Sequence, residues 1–263
     1  MSTLATLSAA RDNPSMTTTY NRIAYEVLDV CNGVEMDTVE RAIARAGLAA
    51  GATAADVGTG NAGVAIAMAR AGLTVTAIEY DPVMAELARE RIAAADVDVT
   101  LEIGAAAAVL GAAPPLDLIV ALGTTNVNGE GRPTPEAAMA YLKGRLKPGG
   151  WLLWGDLVWI AEPPAPLRQI TEAVNLYTDD AGWKAAAEAA GFEVVWSEVS
   201  SQAVFDAYVA GADGAARAWL DAHPNAAEAD AVRGNADRVK MIMEFGRPFI
   251  GFGLYLLRVP DHR

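Results

Sequence analysis

Short apolar runs alternate with helical stretches through the middle of the chain. Runs of mostly apolar residues predict strands at 53–58, 73–79, 97–103, 116–122 and 151–159. Apolar residues at helical spacing predict helices between them, at 61–71, 81–95, about 105–110 and 133–146. Strands and helices that alternate in this way favour an α/β fold, with a mainly parallel sheet and helices on both faces.

The two ends of the chain carry a different pattern. Helical spacing predicts two helices before the first strand, at 17–31 and 36–48. Near the other end, Gly191 ends a helix and precedes a predicted strand at 192–200. A last strand at 252–259 is expected to run antiparallel and to pair with 192–200.

The segment between these last two strands is long and helical in pattern. It covers residues 202–247 and is interrupted at Gly211, Gly214 and a His-Pro-Asn stretch. No shift of composition marks a linker on either side of it. We therefore predict a single domain over 1–263 that contains a helical insertion.

The stretch ADVGTGNAGVAIAMARAG at 55–72 turns from a strand into a helix through three glycines. Gly58, Gly60 and Gly63 satisfy G-x-G-x-x-G, which lets a ligand approach backbone N–H groups at a helix N-terminus. Glu79 follows Gly58 by 21 residues, at the tip of the next strand, where an acid binds ribose hydroxyls. We favour a nucleoside site over the alternative, a structural turn followed by a solvated acid.

Asp56 argues against a pyrophosphate at this turn. It precedes the first glycine by two residues, and like charges repel. S-adenosylmethionine (SAM) instead offers a sulfonium, an ammonium and an adenosine ribose. Asp56 near the amino-acid end and Glu79 on the ribose would suit it. The alternative for Asp56 is a carboxylate that caps local backbone N–H groups.

Three segments resemble, in order, the motifs of class I SAM-dependent methyltransferases: DVGTGNAG at 56–63, VTAIEYDP at 75–82 and LKPGGWLLWGD at 146–156. The resemblance covers about residues 50–160 and implies a Rossmann-like, mainly parallel seven-stranded sheet whose last strand is antiparallel. In one departure, Ala105 stands where the family usually has an aspartate near the adenine. The implied cofactor-binding residues are Asp56, Gly58, Thr59, Gly60, Asn61, Glu79, Tyr80, Met84, Ala105, Ala106, Leu122 and Gly123.

The rest of the chain resembles, more loosely, small bacterial methyltransferases that have a helical insertion before the last strand. This likeness implies N-terminal helices in 1–50, a SAM-binding core in 51–160 and an insertion at 202–247. The insertion would serve either as a lid over a small-molecule pocket or as the surface of a homodimer.

Acceptor-binding candidates follow the fourth and fifth strands, because ligands lie at the carboxyl ends of strands in open α/β sheets. After the fourth strand these are Gly123, Thr124, Thr125, Asn126 and Asn128; after the fifth they are Asp156 and Trp159. Asp156 is the catalytic candidate, since it could accept or orient an amine proton. The alternative is a polar strand end beside a packing tryptophan.

Two tyrosines are further substrate-binding candidates. Tyr20 and Tyr25 share the first helix, where an aromatic face near a sulfonium would be stabilising; we assign that role to Tyr20 and packing to Tyr25. Tyr208 in the insertion is expected to line the acceptor pocket.

Composition narrows the range of partners. The chain is 52% hydrophobic with a net charge of −13, so it is globular and acidic. Nucleic acid and anionic membrane surfaces are therefore disfavoured as partners. The only cysteine, Cys31, suits a reducing cytoplasm, and the first residues lack a signal-peptide pattern. No metal site is expected, because no ligand cluster has zinc spacing.

These features predict SAM-dependent methyl transfer to nitrogen or oxygen of a small molecule. One alternative is a SAM-binding protein that transfers no methyl group, such as a SAM-consuming cyclase or a non-catalytic subunit. Another is an NAD-dependent oxidoreductase, which needs a second βαβ half and a proton-transfer pair such as Tyr-x-x-x-Lys. The segment YLKGRLK at 141–147 does not supply that spacing.

Overall fold

The computed structural model describes residues 18–124, 126–129 and 131–261. The N-terminal residues that lack a signal-peptide pattern and the candidate Thr125 lie outside these ranges. The strands are β1 (Thr53–Val57), β2 (Thr74–Glu79), β3 (Val99–Ile103), β4 (Leu116–Leu122), β5 (Leu146–Trp159), β6 (Thr178–Asp179), β7 (Glu193–Val199) and β8 (Ile250–Arg258). The helices are α1 (Tyr20–Glu26), α2 (Met36–Arg45), α3 (Gly63–Arg70), α4 (Pro82–Ala95), α5 (Ala106–Ala112), α6 (Pro135–Lys143), α7 (Ala165–Thr171), α8 (Asp180–Ala189), α9 (Gln202–Ala222) and α10 (Ala229–Gly246).

All strands belong to one sheet of order β3-β2-β1-β4-β5-β8-β7, with the two-residue β6 paired to the end of β5. The first five strands are mutually parallel, and β8 is antiparallel to both β5 and β7. The α/β prediction and the antiparallel last strand are confirmed. The chain order reverses between β1 and β4, and such a switch point opens a crevice at the carboxyl ends of the strands.

Both faces of the sheet are buried, as the near-continuous apolar strands β1 and β4 require. One face packs against α2, α3 and α4, through residues such as Val39 and Met68. Phe205 of the insertion helix α9 joins the same cluster. The opposite face packs against α5, α6 and α8, through residues such as Met139 and Trp183.

The insertion differs from the predicted broken helix. Helix α9 runs unbroken through Gly211 and Gly214, because packing against α1 and α10 outweighs the roughly 1 kcal/mol that each glycine costs. Ion pairs of Asp213 with Lys240 and of Arg217 with Asp237 tie α9 to α10.

Other boundaries also differ from those predicted. Helix α1 ends at Glu26, several residues before the predicted end at 31. The proline-rich stretch at 161–166 leads directly into α7, because Pro166 fits the first helical turn. Helix α7 and strand β6 were not predicted. No helix in the described ranges is long and apolar enough to cross a membrane.

Candidate active site

A cleft of about 590 Å³ opens at the carboxyl ends of β1, β2 and β4. Its opposite wall is formed by Tyr25 of α1 and by Cys31 and Asn32 of the segment that joins α1 to α2. The cleft therefore lies at the switch point of the sheet. Most of the predicted site residues line it: Gly58, Gly60, Glu79, Tyr80, Met84, Ala105, Ala106, Leu122, Gly123 and Asn126.

The glycine turn after β1 leaves its backbone open to the cleft. Gly58 and Gly60 have φ angles of +70° and +57°, which favour glycine. A Cβ atom on Gly58 would lie 2.7 Å from Oγ1 of Thr124, and one on Gly60 would lie 3.0 Å from Sγ of Cys31. Side chains at these two positions would fill the space between the turn and the facing wall.

Glu79 links this turn to the end of β2. Its Oε2 accepts a hydrogen bond from the Gly60 N–H at 2.9 Å, and its Oε1 accepts from the Tyr80 and Asp81 N–H groups at 2.8 and 2.9 Å. Burial raises the pKa of this carboxyl group, although the three hydrogen bonds favour its charged form. Glu79 therefore both braces the turn and presents a carboxylate to the cleft.

The side chains of Asp56, Thr59 and Asn61 lie behind the turn and do not line the cleft. The Thr59 hydroxyl donates to Oδ2 of Asp56 at 2.6 Å, and burial raises the pKa of Asp56 to about 6. Asn61 donates through Nδ2 to the carbonyl groups of Tyr25 and Leu28. In the structure these three side chains hold the turn in place, and the cofactor binding predicted for the three residues stays a prediction.

Asp156 was predicted to accept a proton from the molecule that receives the methyl group. The structure places it elsewhere. Strand alternation puts it on the same face as Trp154, inside the cluster opposite the insertion. Its Oδ1 accepts from the Leu157 N–H at 2.8 Å, and its Oδ2 accepts from Nδ2 of Asn175 at 3.0 Å. Asp156 is 3% exposed and does not line the cleft, so the catalytic assignment is corrected.

The environment of Asp156 predicts a pH dependence of stability. Burial raises its pKa from 3.8 to about 7, so the folded chain keeps a proton that the unfolded chain has lost. Folding takes up this proton between about pH 4 and 7, and the free energy of unfolding falls as pH rises through that range. We expect Asp156→Asn to reduce the stability difference between pH 5 and pH 8 by on the order of 3 kcal/mol.

Thermal unfolding at these two pH values measures this effect. Asp117→Asn is the matched control, because Lys147 binds Oδ2 of Asp117 at 2.7 Å and the pKa of Asp117 is lowered. The Asp117 carboxyl group is ionised at pH 5 and at pH 8 in both the folded and the unfolded chain. Its removal should therefore leave the stability difference between the two pH values unchanged. An Asp156→Asn variant with the pH dependence of wild type would contradict the prediction.

Three predicted substrate-binding residues also lie outside the cleft lining. Trp159 is buried against the ring of Tyr177, at a centroid distance of 6.3 Å. Tyr20 packs against α9 and α10, and burial raises its pKa to about 12. Tyr208 interacts through its hydroxyl group with that of Tyr25, so it supports the wall and not the cavity itself.

Several residues of the facing wall were not predicted from the sequence. Tyr25 lines the cleft in the place predicted for Tyr20, and Cys31 and Asn32 follow it. Nδ2 of Asn32 donates to the Leu122 carbonyl oxygen at 3.2 Å, which fixes this wall to the end of β4. The only local signal was the Cys-Asn-Gly stretch at 31–33, a turn pattern between two helices.

A sequence profile described as a methyltransferase domain matches residues 54–150. This range contains the glycine turn, Glu79 and the end of β4. A search of curated protein sequences gave no match.

Solved structures show the same fold over most of the chain. A SAM-dependent methyltransferase from Thiobacillus denitrificans, in complex with S-adenosylhomocysteine (SAH), is 23% identical over 90% of this chain and 96% of that chain, with a TM-score of 0.77. A SAM-dependent methyltransferase from Geobacter sulfurreducens, also with SAH, is 22% identical over 90% and 96%, with a TM-score of 0.75. The [4+2]-cyclase SpnF is 20% identical over 86% and 81%, with a TM-score of 0.68. Residues 54–150 therefore match a methyltransferase domain, and most of the chain has the fold of these solved structures.

Proposed function

We propose that this protein binds SAM in the cleft and transfers its methyl group to nitrogen or oxygen of a small organic acceptor. The observation that carries the proposal is that Glu79 and the open turn at Gly58 and Gly60 share one cleft. The two neighbours solved with SAH have the same fold, which supports an adenosyl ligand here.

The residues of the cleft fit such a ligand. A carboxylate can accept hydrogen bonds from both hydroxyls of a ribose, and Glu79 lies at the strand end where that contact is made. The side-chain-free turn at Gly58 and Gly60 would hold the methionine part against its backbone. Met84, Ala105 and Ala106 supply an apolar wall for the adenine.

When bound, SAM supplies an electrophilic methyl group on a positively charged sulfur. The protein then has to align a nucleophile with that group, because alignment dominates a displacement of this kind. Asn21, Asn32 and Asn126 also line the cleft, and we assign them to the acceptor. We assign no general base to this chain, because Asp156 is buried on the far face of the sheet.

The dinucleotide alternative fits the fold less well. A nicotinamide site of this architecture uses two parallel βαβ halves that meet at the switch point. Here β8 is antiparallel to both neighbours, so the second half of the sheet is built differently. This arrangement supports an adenosyl ligand over a dinucleotide.

Methyl transfer is tested by incubating the protein with methyl-labelled SAM and a mixture of small metabolites. The proposal expects SAH to form together with a product that carries the label. Methylthioadenosine without a labelled product would instead support a SAM-consuming reaction that transfers no methyl group. If the protein binds SAH but forms neither product, the result would support the non-catalytic alternative.

Tyr25→Leu should weaken binding of SAM more than binding of SAH. The ring of Tyr25 lines the cleft, and an aromatic face attracts a cation by about 0.5–2 kcal/mol. SAM carries a positive sulfur and SAH does not, so we expect the Kd of SAM to rise roughly twofold to thirtyfold and that of SAH to change little. Calorimetric titration with each ligand measures both values.

Tyr20→Leu is the matched control, because Tyr20 lies on the same helix but packs against α9 and α10. It should not change the ratio of the two dissociation constants. Equal loss of SAM and SAH binding in Tyr25→Leu would refute the role of its ring.

A further inference from the structure

One edge of the sheet is a strand with unpaired backbone groups. Strand β3 pairs with β2 on one side and, within the described ranges, with no strand on the other. The N–H and C=O groups of one residue in a strand point to the same side, and successive residues alternate. Gly104, directly after β3, donates its N–H inward to the Glu79 carbonyl of β2. The residues one, three and five positions before Gly104 therefore direct these groups outward, and they are Ile103, Leu101 and Val99.

The opposite edge of the sheet is less suited to further pairing. The register of β7 against β8 shifts between Val194 and Trp196, as at a β-bulge, and bulges twist an edge away from another strand. The guanidinium group of Arg45 also lies over the ring of Trp196. The ladder of β3 with β2, in contrast, is regular over all five residues of β3. An added strand would therefore pair with β3.

The side chains of β3 form an apolar row on one face and a polar row on the other. In the apolar row, Val99 and Leu101 pack partly against the cluster that contains α3 and α4, and Ile103 is 51% exposed. Thr100 and Glu102 are exposed on the other face. This pattern fits an added strand that presents an apolar row to the same face.

A second copy of β3 meets these requirements in one antiparallel register. If Leu101 lies opposite Leu101 of the second copy across a two-fold axis, each Val99 lies opposite an Ile103. Every outward N–H and C=O group of the two strands then has a partner. The apolar rows of the two copies lie on the same face and form one continuous stripe.

Charge selects the same register. It places Glu102 opposite Thr100 of the second copy, so like charges do not meet across the pair. A shift of two residues in one direction places Glu102 opposite Glu102, and the opposite shift places it opposite Asp98. A shift of one residue brings the outward groups against positions that bond inward, and moves the apolar row to the other face.

We propose that two copies of this chain associate through β3 in this register, which joins their two sheets into one. The inference does not depend on the proposed SAM site, because no residue of β3 lines the cleft. The strand has five residues and the chain a net charge of −13, so small area and mutual repulsion keep the dimer weak. Salt screens that repulsion, so higher salt should strengthen the dimer.

Sedimentation velocity over a range of protein concentrations, at low and at high salt, tests the association. We expect a reversible equilibrium between monomer and dimer that shifts toward dimer at high salt. A chain that stays monomeric at every concentration and salt would overturn the proposal.

Charged substitutions at Thr100 test whether β3 is the surface. Thr100→Lys places a cation opposite Glu102 of the second copy, and Thr100→Glu places an anion there. Ala231→Lys and Ala231→Glu, at an exposed position of α10, are matched controls for the change in net charge. Relative to its control, Thr100→Lys should lower the dissociation constant at least about threefold and Thr100→Glu should raise it by as much. A dimer that responds equally to substitutions at 100 and 231 forms elsewhere and would overturn the proposal.

Disulfide trapping tests the register itself. Residues 100 and 102 of the two copies would form a non-hydrogen-bonded pair with Cα atoms about 4.5 Å apart, within the range of about 4.4–6.8 Å that a disulfide spans. Mild oxidation should therefore link two copies of the double variant Thr100→Cys/Glu102→Cys. Either single variant places its two cysteines diagonally, about 7–8 Å apart, and should give at least about tenfold less covalent dimer. The wild type, whose one cysteine is Cys31, measures the background. Equal linking of single and double variants, or none in the double variant, would overturn the register.

Discussion

Replacing Glu79 by alanine should weaken SAH binding by about 100-fold. A hydrogen bond to a charged group contributes about 1.5–3 kcal/mol, and two ribose hydroxyls would share this carboxylate. A net loss of roughly 3 kcal/mol corresponds to about two factors of ten in Kd. The same substitution also removes the acceptor of the Gly60 N–H, which loosens the turn that faces the ligand. Calorimetric titration of the variant and wild type measures the difference.

Glu102→Ala provides the matched control. Glu102 lies on the neighbouring strand β3 and is exposed outside the cleft, so its loss should leave the Kd of SAH within twofold. If Glu79→Ala remained folded and also bound SAH within twofold of wild type, the assignment of Glu79 to the ribose would be wrong.

Gly63→Ala should destabilise the protein by about 3 kcal/mol. Gly63 begins α3, and a Cβ atom there would collide with the main-chain carbonyl oxygen of Asp29. A main-chain atom cannot rotate away, so the start of α3 and the facing wall would have to separate. Overpacking of this kind costs about 1–3 kcal/mol, and Gly63 lies at the upper end because both partners are fixed. Because Gly63 directly follows the glycine turn that we propose holds the ligand, SAH binding should weaken as well.

Gly214→Ala in the middle of α9 should instead stabilise the protein. A Cβ atom at Gly214 would meet no atom within 4 Å, and alanine stabilises a helix interior by about 0.5–1 kcal/mol relative to glycine. Urea unfolding of the two variants compares them directly. The packing argument fails if Gly63→Ala is as stable as wild type.

The parts of the site that could be predicted are those fixed by local sequence. A strand, a glycine turn and an acid at the next strand tip lie in one βαβ unit, so their spacing determines their geometry. The Gly58–Gly60 turn and Glu79 therefore lie in the cleft as expected. The antiparallel direction of β8 was expected from the family resemblance, since a long insertion separates it from β7 and no local signal fixes its direction.

Asp156 and Trp159 show a limit that strand geometry alone could have revealed. They are three residues apart on β5, so alternation puts their side chains on opposite faces of the sheet. Both were nevertheless predicted for one pocket. Trp159 faces the cluster that includes the insertion, and Asp156 faces the other cluster, where Asn175 meets it.

The choice between Tyr20 and Tyr25 depends on contacts that are distant in sequence. Both fit the same helix, and the rotation of α1 is set by its packing against α9, almost two hundred residues later. Asn61 fixes the end of α1 through two carbonyl groups, which turns Tyr25 toward the cleft. Helical periodicity within α1 contains neither of these contacts.

The central claim is that the glycine turn and Glu79 bind an adenosyl donor and not a dinucleotide. Calorimetric titration of the wild-type protein with SAH, and separately with NADH, tests it most directly. The account predicts one SAH bound per chain and no measurable heat of binding with NADH. Binding of NADH in the absence of SAH binding would contradict it.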